Sequence, residues 1–548
     1  MRRLAQLSFV GFLLLGVGLG IGFFLQSTFQ AEEGNPRTAS ETLRDAYRTV
    51  TQHYADPVDA QSVADQAIVG MLSSLDPHSV FIGAERMQAV RESFNASFEG
   101  VGITYELIPG PNAQDTMAVV TVLDDGPSAR AGLQTGDRIV SIDGQSAIGY
   151  THDRVQSTIK GPRGSVVEVG VRRPGVPDTR YVQIARGAVP LRTVDAAFML
   201  SDQTGFIRLN RFAQTTYQEF VNALRRLDGE GMERLLLDLR GNQGGYMDMA
   251  VRVADEFLGG GQLIVEARSR HSEFSSAEYA TDGGAYEQRP LIVLVDDGSA
   301  SASEILAGAL QDHDRALIVG RRTFGKGLVQ KQYRLPDGSA LRLTISRFYT
   351  PSGRLVQTPY RTGQPGDYYH AKLGTRARDQ GRTREEIVTR VPDSLRYRTD
   401  GGRTVIGGGG IVPDRIMMPD SASALFRSRV VPPSLLNDFA RTWLDQHGAT
   451  LQKQWTEAAF LEAFEVGAPL FDAFLTFAAQ YPRTTSAPTQ VLRDVQGKRR
   501  ETVEALLRAH LARRLFGEAA WYPAYAQIDR VVNHALGEWD DAVALAAR

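Results

Sequence analysis

The sequence predicts a multidomain chain with a mixed α/β core, a small β-rich module before the core and a helical segment after it. Three observations carry that reading. At about 150 residues per domain, a length of 548 residues implies three or four domains. Strand-like and helical runs alternate between Gly205 and about Met418, the texture of a sheet with helices packed against it. An apolar content of 42%, with 54 glycines besides, is enough to build a large core. Charge then excludes one class of partner. With 61 basic and 63 acidic residues the formal charge is −2, and no excess points to a phosphate backbone, so nucleic acid is not expected. The chain has 0 cysteines, which removes disulfides, thiolate nucleophiles and Cys-ligated zinc and leaves serine, lysine, carboxylate or His-metal chemistry.

Taken in order, the first element is the run Leu7–Leu25, 19 residues whose only polar member is Ser8. It is long enough to span a bilayer and longer than a usual signal-peptide core, and no Ala-x-Ala site follows it, so an uncleaved anchor is expected. Arg2 and Arg3 place the amino terminus in the cytoplasm and the remainder outside it. Residues 36–95 read as a helical region, with Leu43, Ala46, Tyr47 and Val50 and then Val63, Ile68, Met71 and Leu72 at helical spacing. From 96 to 187 the texture becomes short β-branched runs, Ala118–Val122, Ile139–Ile142, Val166–Val171 and Tyr181–Ile184, punctuated by Gly and Pro. Residues 188–420 form the α/β core, with strands at Leu235–Leu239, Leu291–Val295 and Ala316–Val319 and helices at Met247–Leu258 and Ser303–Leu310. Residues 421–548 are mainly helical by pattern, and their role cannot be read from the sequence.

Chemistry concentrates where the strand Leu291–Val295 runs through Asp296-Asp-Gly-Ser-Ala-Ser301-Ala-Ser-Glu304 into a helix. Ser301 and Glu304 have the spacing of a capping box, a purely structural arrangement. The same position suits a nucleophile, because unpaired N–H groups at a helix start can stabilise an oxyanion. No histidine sits in a triad context, there is no G-x-S-x-G and no H-E-x-x-H. Lys326, in Thr323-Phe-Gly-Lys-Gly327 after the apolar run Leu317–Val319, is the alternative base. To accept a proton near neutrality its pKa must fall from ~10.4 to ~7 or 8, a strain of about 3 to 5 kcal/mol that only a rigid core tolerates. Two look-alikes are set aside. Gly320–Gly327 nearly matches a phosphate loop, but Gly327 replaces the Ser/Thr that would hold magnesium and a strand follows, so no nucleotide is expected. Ser157-Thr-Ile-Lys160 matches S-x-x-K without the motifs that should accompany it.

Together, Gly298–Ile305, Thr323–Gly327 with Gln330, and Leu237-Asp-Leu-Arg-Gly-Asn-Gln-Gly-Gly245 resemble the carboxyl-terminal processing, or tail-specific, serine peptidases. Leu75-Asp-Pro-His-Ser79, Thr350–Arg354 and Gly410–Asp414 extend the likeness over roughly residues 40–420. The resemblance implies Ser301 as nucleophile, Lys326, 25 residues on, as general base, and Gln330 as the residue orienting it. It also implies an oxyanion hole from the backbone N–H of Ala302 and of Gly244 or Gly245, with Gln243 standing where relatives often carry proline. The module at 96–187 resembles a PDZ domain. Glu99-Gly100-Val101-Gly102-Ile103 looks like its carboxylate-binding loop, and Gly126–Leu133 with Gly136–Val140 looks like its helix and following strand. Such a loop would nest a terminal carboxylate while the peptide joins the sheet edge as an added strand.

The expectation is a mixed α/β peptidase core of the tail-specific protease type with an inserted PDZ domain, an N-terminal transmembrane helix and a helical C-terminal extension. Its activity would be endopeptidase cleavage by Ser301 and Lys326 through an acyl-enzyme, on protein or peptide substrates with apolar C-terminal tails, on the periplasmic side of the cell membrane. No metal or other cofactor is called for. For residues 421–548, a homo-oligomerisation arm and an adaptor-docking surface are both open. The rival reading is a catalytically inactive PDZ scaffold of the same fold.

Overall fold

The computed structural model describes residues 36–108, 116–123, 126–417, 431–481 and 499–547. They fall in two units, divided between Leu75 and Asp76. The smaller holds the helices Pro36–His53 and Ala60–Ser73, the second capped by the Asp59 carboxylate on the Gln61 N–H. Among the described residues no helix is long and apolar enough to cross a membrane, and the anchor expected over Leu7–Leu25 lies outside them. Of the helical region expected over 36–95, residues 36–75 lie in the smaller unit. Residues from Asp76 onward belong to the larger unit, where Val80–Ile82 pairs antiparallel with Ala340–Arg342.

The larger unit is built on a six-stranded sheet in the order Val194–Ser201, Thr204–Leu209, Arg234–Asp238, Leu291–Val295, Leu317–Gly320 and Arg415–Ile416. The first pair is antiparallel and the rest are parallel. Parallel strands must be covered on both faces, and Leu291-Ile-Val-Leu-Val295, buried at every position, is the unbroken apolar run that this requires. Period-2 alternation then assigns the faces. Leu291, Val293 and Val295 join Leu235, Leu237 and Ile318 under the helices Thr216–Gly229, Met247–Asp255 and Ala302–Asp312. Ile292 and Leu294 join Leu236, Leu317 and Val319 on the opposite face.

That opposite face is closed by the C-terminal segment. Ala526, Val532, Ala535, Trp539, Ala542 and Leu545, from three short helices spanning Trp521–Ala546, complete the second core layer. Upstream, the helices Pro433–Gln454, Ala468–Ala479 and Arg500–Phe516 form an apolar cluster of their own around Phe439, Phe460, Phe474 and Leu507. The extension also reaches the β-rich module, where Glu106 accepts from Arg514 at 2.8 Å and from Asn437, and Arg138 pairs with Asp445.

A second, antiparallel sheet runs Val80–Ile82, Ala340–Tyr349, Leu263–Arg268 and Ser276–Tyr279, with Leu328–Arg334 also paired to Ala340–Tyr349. It carries the residues just after Lys326. The β-rich module is a third sheet, Ile103–Ile108, Thr116–Val122, Arg138–Ile142, Val166–Arg172 and Arg180–Ala185, entered and left through the pair Ser97–Gly100 and Gly187–Pro190. Its strand Ile103–Ile108 is an edge of that sheet, and beside it the helix His152–Ile159 closes a groove of about 200 Å3.

Candidate active site

Ser301 occupies the N-cap of the helix Ala302–Asp312, at the end of a sharp strand-to-helix turn. Its backbone sits at φ 56 and ψ −111, a left-handed setting for a non-glycine residue that costs about 1–3 kcal/mol and persists only where neighbours impose it. The neighbours are identifiable. The capping box with Glu304 is present, the Glu304 carboxylate accepting the Ser301 N–H at 2.9 Å. On the other side the buried Asn242 carbonyl accepts from the Ala300 N–H at 3.0 Å and from the Ser303 hydroxyl at 2.8 Å. Although the G-x-S-x-G pattern is absent, the backbone makes an elbow of the same kind, with the half-buried serine at its bend.

Glu304 does more than cap. Its carboxylate is fully buried and collects four donors: the N–H groups of Ser301, Gly325 at 2.6 Å and Lys326 at 2.8 Å, and the Thr323 hydroxyl at 2.6 Å. Burial raises its pKa, and those donors oppose the rise. One side chain thus fixes the Ser301 turn and the lysine loop to each other, a link that the four-residue capping pattern did not reveal.

Lys326 lies before the strand Leu328–Arg334, and a register shift falls between Val329 and Gln330, so simple alternation along a strand does not bring the two side chains together. They nonetheless meet: Lys326 Nζ donates to Gln330 Oε1 at 2.7 Å. The Gln330 amide is in turn held by the carbonyl oxygen of His78, which accepts from Nε2 at 2.5 Å and so fixes which end of the amide faces the lysine. Asp76 builds the turn that presents this carbonyl, accepting the N–H groups of His78 and Ser79. Burial lowers the Lys326 pKa below the ordinary lysine range, and the Arg342 guanidinium adds to the effect against the pull of Glu304 and Asp76. His78 is brought down to about 4 by burial and by Lys326, and its Nε2 lies 3.0 Å from the Tyr368 hydroxyl. That tyrosine comes from a helix, Pro365–Asp379, whose role the sequence did not suggest. The same helix supplies Lys372, lowered to about 7 by burial, with its ammonium 3.1 Å from the Tyr368 hydroxyl and against the Phe324 ring.

The glycine loop closes the site. A Cβ on Gly244 would lie 2.9 Å from the Ser301 Cβ and 2.7 Å from the Ala300 carbonyl oxygen, and one on Gly245 would overlap the Phe212 carbonyl at 1.9 Å. Both have positive φ, 95 and 149, so approach and conformation together demand glycine. The Gly244 N–H is already given to Asn242 Oδ1 at 2.9 Å. Among the described residues, the N–H groups of Gly245 and Ala302 donate to no protein acceptor. From outside, Arg240 anchors the loop: it pairs with Asp238 at 2.8 Å and, through both terminal nitrogens, with Asp529 at 2.8 and 3.1 Å. Burial alone would raise Asp238, but Arg240 and Arg208 hold it below the usual carboxylate range.

Ser301, Ala302, Lys326, Gln330, Gly244 and Gly245 all line one cavity of about 1060 Å3. Ser301 and Lys326 do not hydrogen-bond to each other in this structure, the lysine being engaged with Gln330. In the β-rich module, Val101, Gly102 and Ile103 line the groove with Val155, Ile159 and Lys160, while Gly100 lies buried against the Phe98 ring. The remaining motifs brace the far end of the helix Ala302–Asp312. Arg354 pairs with Asp312 at 2.7 Å, and Asp414 accepts the Ile318 N–H at 3.0 Å.

Residues 203–363 match peptidase family S41, residues 119–173 match the PDZ domain, residues 25–86 match the N-terminal domain of the activating protease CtpB, and residues 426–517 match a family of unknown function. The chain is 35% identical over 352 residues to the carboxy-terminal-processing protease of Bartonella bacilliformis, covering 63% of this chain and 79% of that one. It is 32% identical over 333 residues to the carboxy-terminal processing protease CtpB of Bacillus subtilis, covering 60% and 68%. Among solved structures, the photosystem II D1 C-terminal processing protease shares 33% identity and a TM-score of 0.33, over 58% of this chain and 83% of that one.

Proposed function

Since the chain belongs to the carboxy-terminal processing proteases of peptidase family S41, with a PDZ domain, we propose that it is an endopeptidase that holds a protein's C-terminal tail on the PDZ groove and cleaves upstream with Ser301 and Lys326. The observation that carries this reading is the meeting of a strained, half-buried serine and a half-buried lysine of lowered pKa on one cavity wall.

The Gln330 amide oxygen can only accept, so it takes one amine hydrogen of neutral Lys326 and leaves the nitrogen lone pair to face elsewhere. With a substrate carbonyl in place, that lone pair removes the Ser301 hydroxyl proton as Oγ bonds to the carbonyl carbon. The oxyanion is received by the N–H groups of Ala302 and Gly245, the two that protein acceptors leave unused. The lysine then passes its proton to the departing amine nitrogen, the C–N bond breaks, and water repeats the sequence on the acyl ester. A resting site without a Ser301–Lys326 hydrogen bond is compatible with this route, since such contacts often tighten only with substrate.

The edge strand Ile103–Ile108 beside an apolar groove suits β-addition of an extended tail ending in apolar residues. The stretch Leu7–Leu25 supports a membrane-anchored, extracytoplasmic placement, which carbonate extraction of the full chain would test. For the chemistry, the test is proteolysis of an apolar-tailed model protein. Ser301→Ala and Lys326→Ala each abolish it on this reading, and cleavage that persists in Ser301→Ala would place the nucleophile elsewhere.

A further inference from the structure

The catalytic cavity has a charge that peptide hydrolysis does not require. Besides Lys326 it is lined by five cations, Arg91, Arg211, Lys331, Arg334 and Arg342, against one carboxylate, Asp248. They converge from separate parts of the fold: the helix Ala84–Asn95, the turn after Thr204–Leu209, and the strands Leu328–Arg334 and Ala340–Tyr349. Among the described residues none of the five is in salt-bridge contact with a carboxylate, although Arg211 lies near enough to Asp195 to act on it. The contrast with other arginines of the same core is sharp, since Arg208, Arg240, Arg354 and Arg403 each hold an aspartate at 2.8 Å or less. Two of the five instead place their cationic heads over aromatic rings, Arg342 over Phe94 at 5.5 Å and Lys331 over Phe274 at 5.0 Å, contacts that orient the charge without supplying an anion.

Tuning of the base does not account for the group. Arg342 does depress Lys326, but the other four are not among the charges that act on it. A concave wall of one sign focuses field into the cavity and raises the local concentration of opposite charge.

We propose that the cavity selects peptide segments bearing acidic side chains close to the scissile bond, with Arg91, Arg211, Lys331, Arg334 and Arg342 as their counter-charges. This rests on the cavity being the proteolytic site and adds a second recognition element to the apolar tail. The tail brings the substrate to the enzyme, and the acidic flank decides which bond enters the cavity.

The test uses peptides of one length and one apolar tail that differ only in carrying Glu, Gln or Lys at the positions flanking the cleaved bond. The full chain should cleave the Glu peptide at least tenfold faster in kcat/KM than its Lys twin at low ionic strength, with Gln between, and salt should shrink the ratio. In Arg91→Gln/Arg334→Gln the Glu-to-Lys ratio should fall severalfold. Equal rates for Glu and Lys peptides, or a preference for Lys, would overturn the proposal. Binding of the same peptides to Ser301→Ala separates the two readings. If no peptide is cleaved by the parent chain, the proteolytic reading fails, while tighter binding of Glu than of Lys peptides would still support the acidic preference and equal binding would refute it.

Discussion

The two faces of the six-stranded sheet hold the glycine loop from opposite sides and by different means. On the helix face, Asn242, Ser303 and Glu304 join elements of the core within 61 residues of each other, through buried hydrogen bonds of 2.6–2.9 Å. On the other face the support is long-range: Arg240 reaches Asp529, 289 residues away, and the apolar cover is Trp539 and its neighbours. The first arrangement sets where the reacting atoms are. The second keeps the strands that carry them out of water, so damage to the two sides should separate into lost chemistry and lost stability.

The largest effect is expected at Glu304. Replacing it with Ala strands four donors in the interior at about 1–3 kcal/mol each, and the lysine loop loses its tie to the nucleophile turn. Activity should drop at least a hundredfold in kcat, and urea midpoints should report severe destabilisation. A Glu304→Ala enzyme of near-parental rate would mean that the tie is not needed. Next comes Trp539→Ala, which removes a buried aromatic from the far face and should lower stability by about 3–5 kcal/mol, while kcat per folded molecule at low temperature changes little. A large loss of kcat in the folded fraction would erase the distinction between the faces.

Asp529→Asn keeps the shape and removes the charge opposite Arg240. A cost of about 1–2 kcal/mol is expected, with kcat reduced severalfold and KM unchanged, because the loop is loosened and the groove is not touched. The smallest effect is a pH slope. His510 is buried in the extension and lowered to about 3, burial being the main cause, and His78 beside the active site is lowered to about 4. The unfolded chain binds these protons near pH 6.5 and the folded chain does not, so stability is intact above 6.5 and declines as pH falls toward 4, by about 2 kcal/mol for His510 at pH 5. His510→Gln should flatten part of that slope without altering the pH dependence of cleavage, which should rise with pH as Lys326 loses its proton.

What could be read in the sequence was the local half of this comparison. Leu291–Val295 announces itself as a doubly covered strand, and the observed element has the same bounds. Helix Ala302–Asp312 differs from the expected run by one residue at its start and two at its end. Ser301 and Lys326 stood out because they lie in short segments dense in Gly, Ser and Lys, Gln330 came only with the family resemblance, and all three line one cavity. The distant half gave no local signal. Asp529 is an ordinary N-cap, Tyr368 and Lys372 sit on a weakly patterned helix, and Arg91 and Arg342 read as surface charges until the fold turns them inward on one cavity. Asp529 and Tyr368 meet Arg240 and His78 across 289 and 290 residues, and no periodicity encodes such a pairing.

The cover of the sheet's second face comes from residues 526–545, far beyond the nucleophile in the order of synthesis. A ribosome must therefore translate the chain through Leu545 before Ile292 and Leu294 are shielded on that side. Until then the parallel strands carry only one of the two apolar covers that they need.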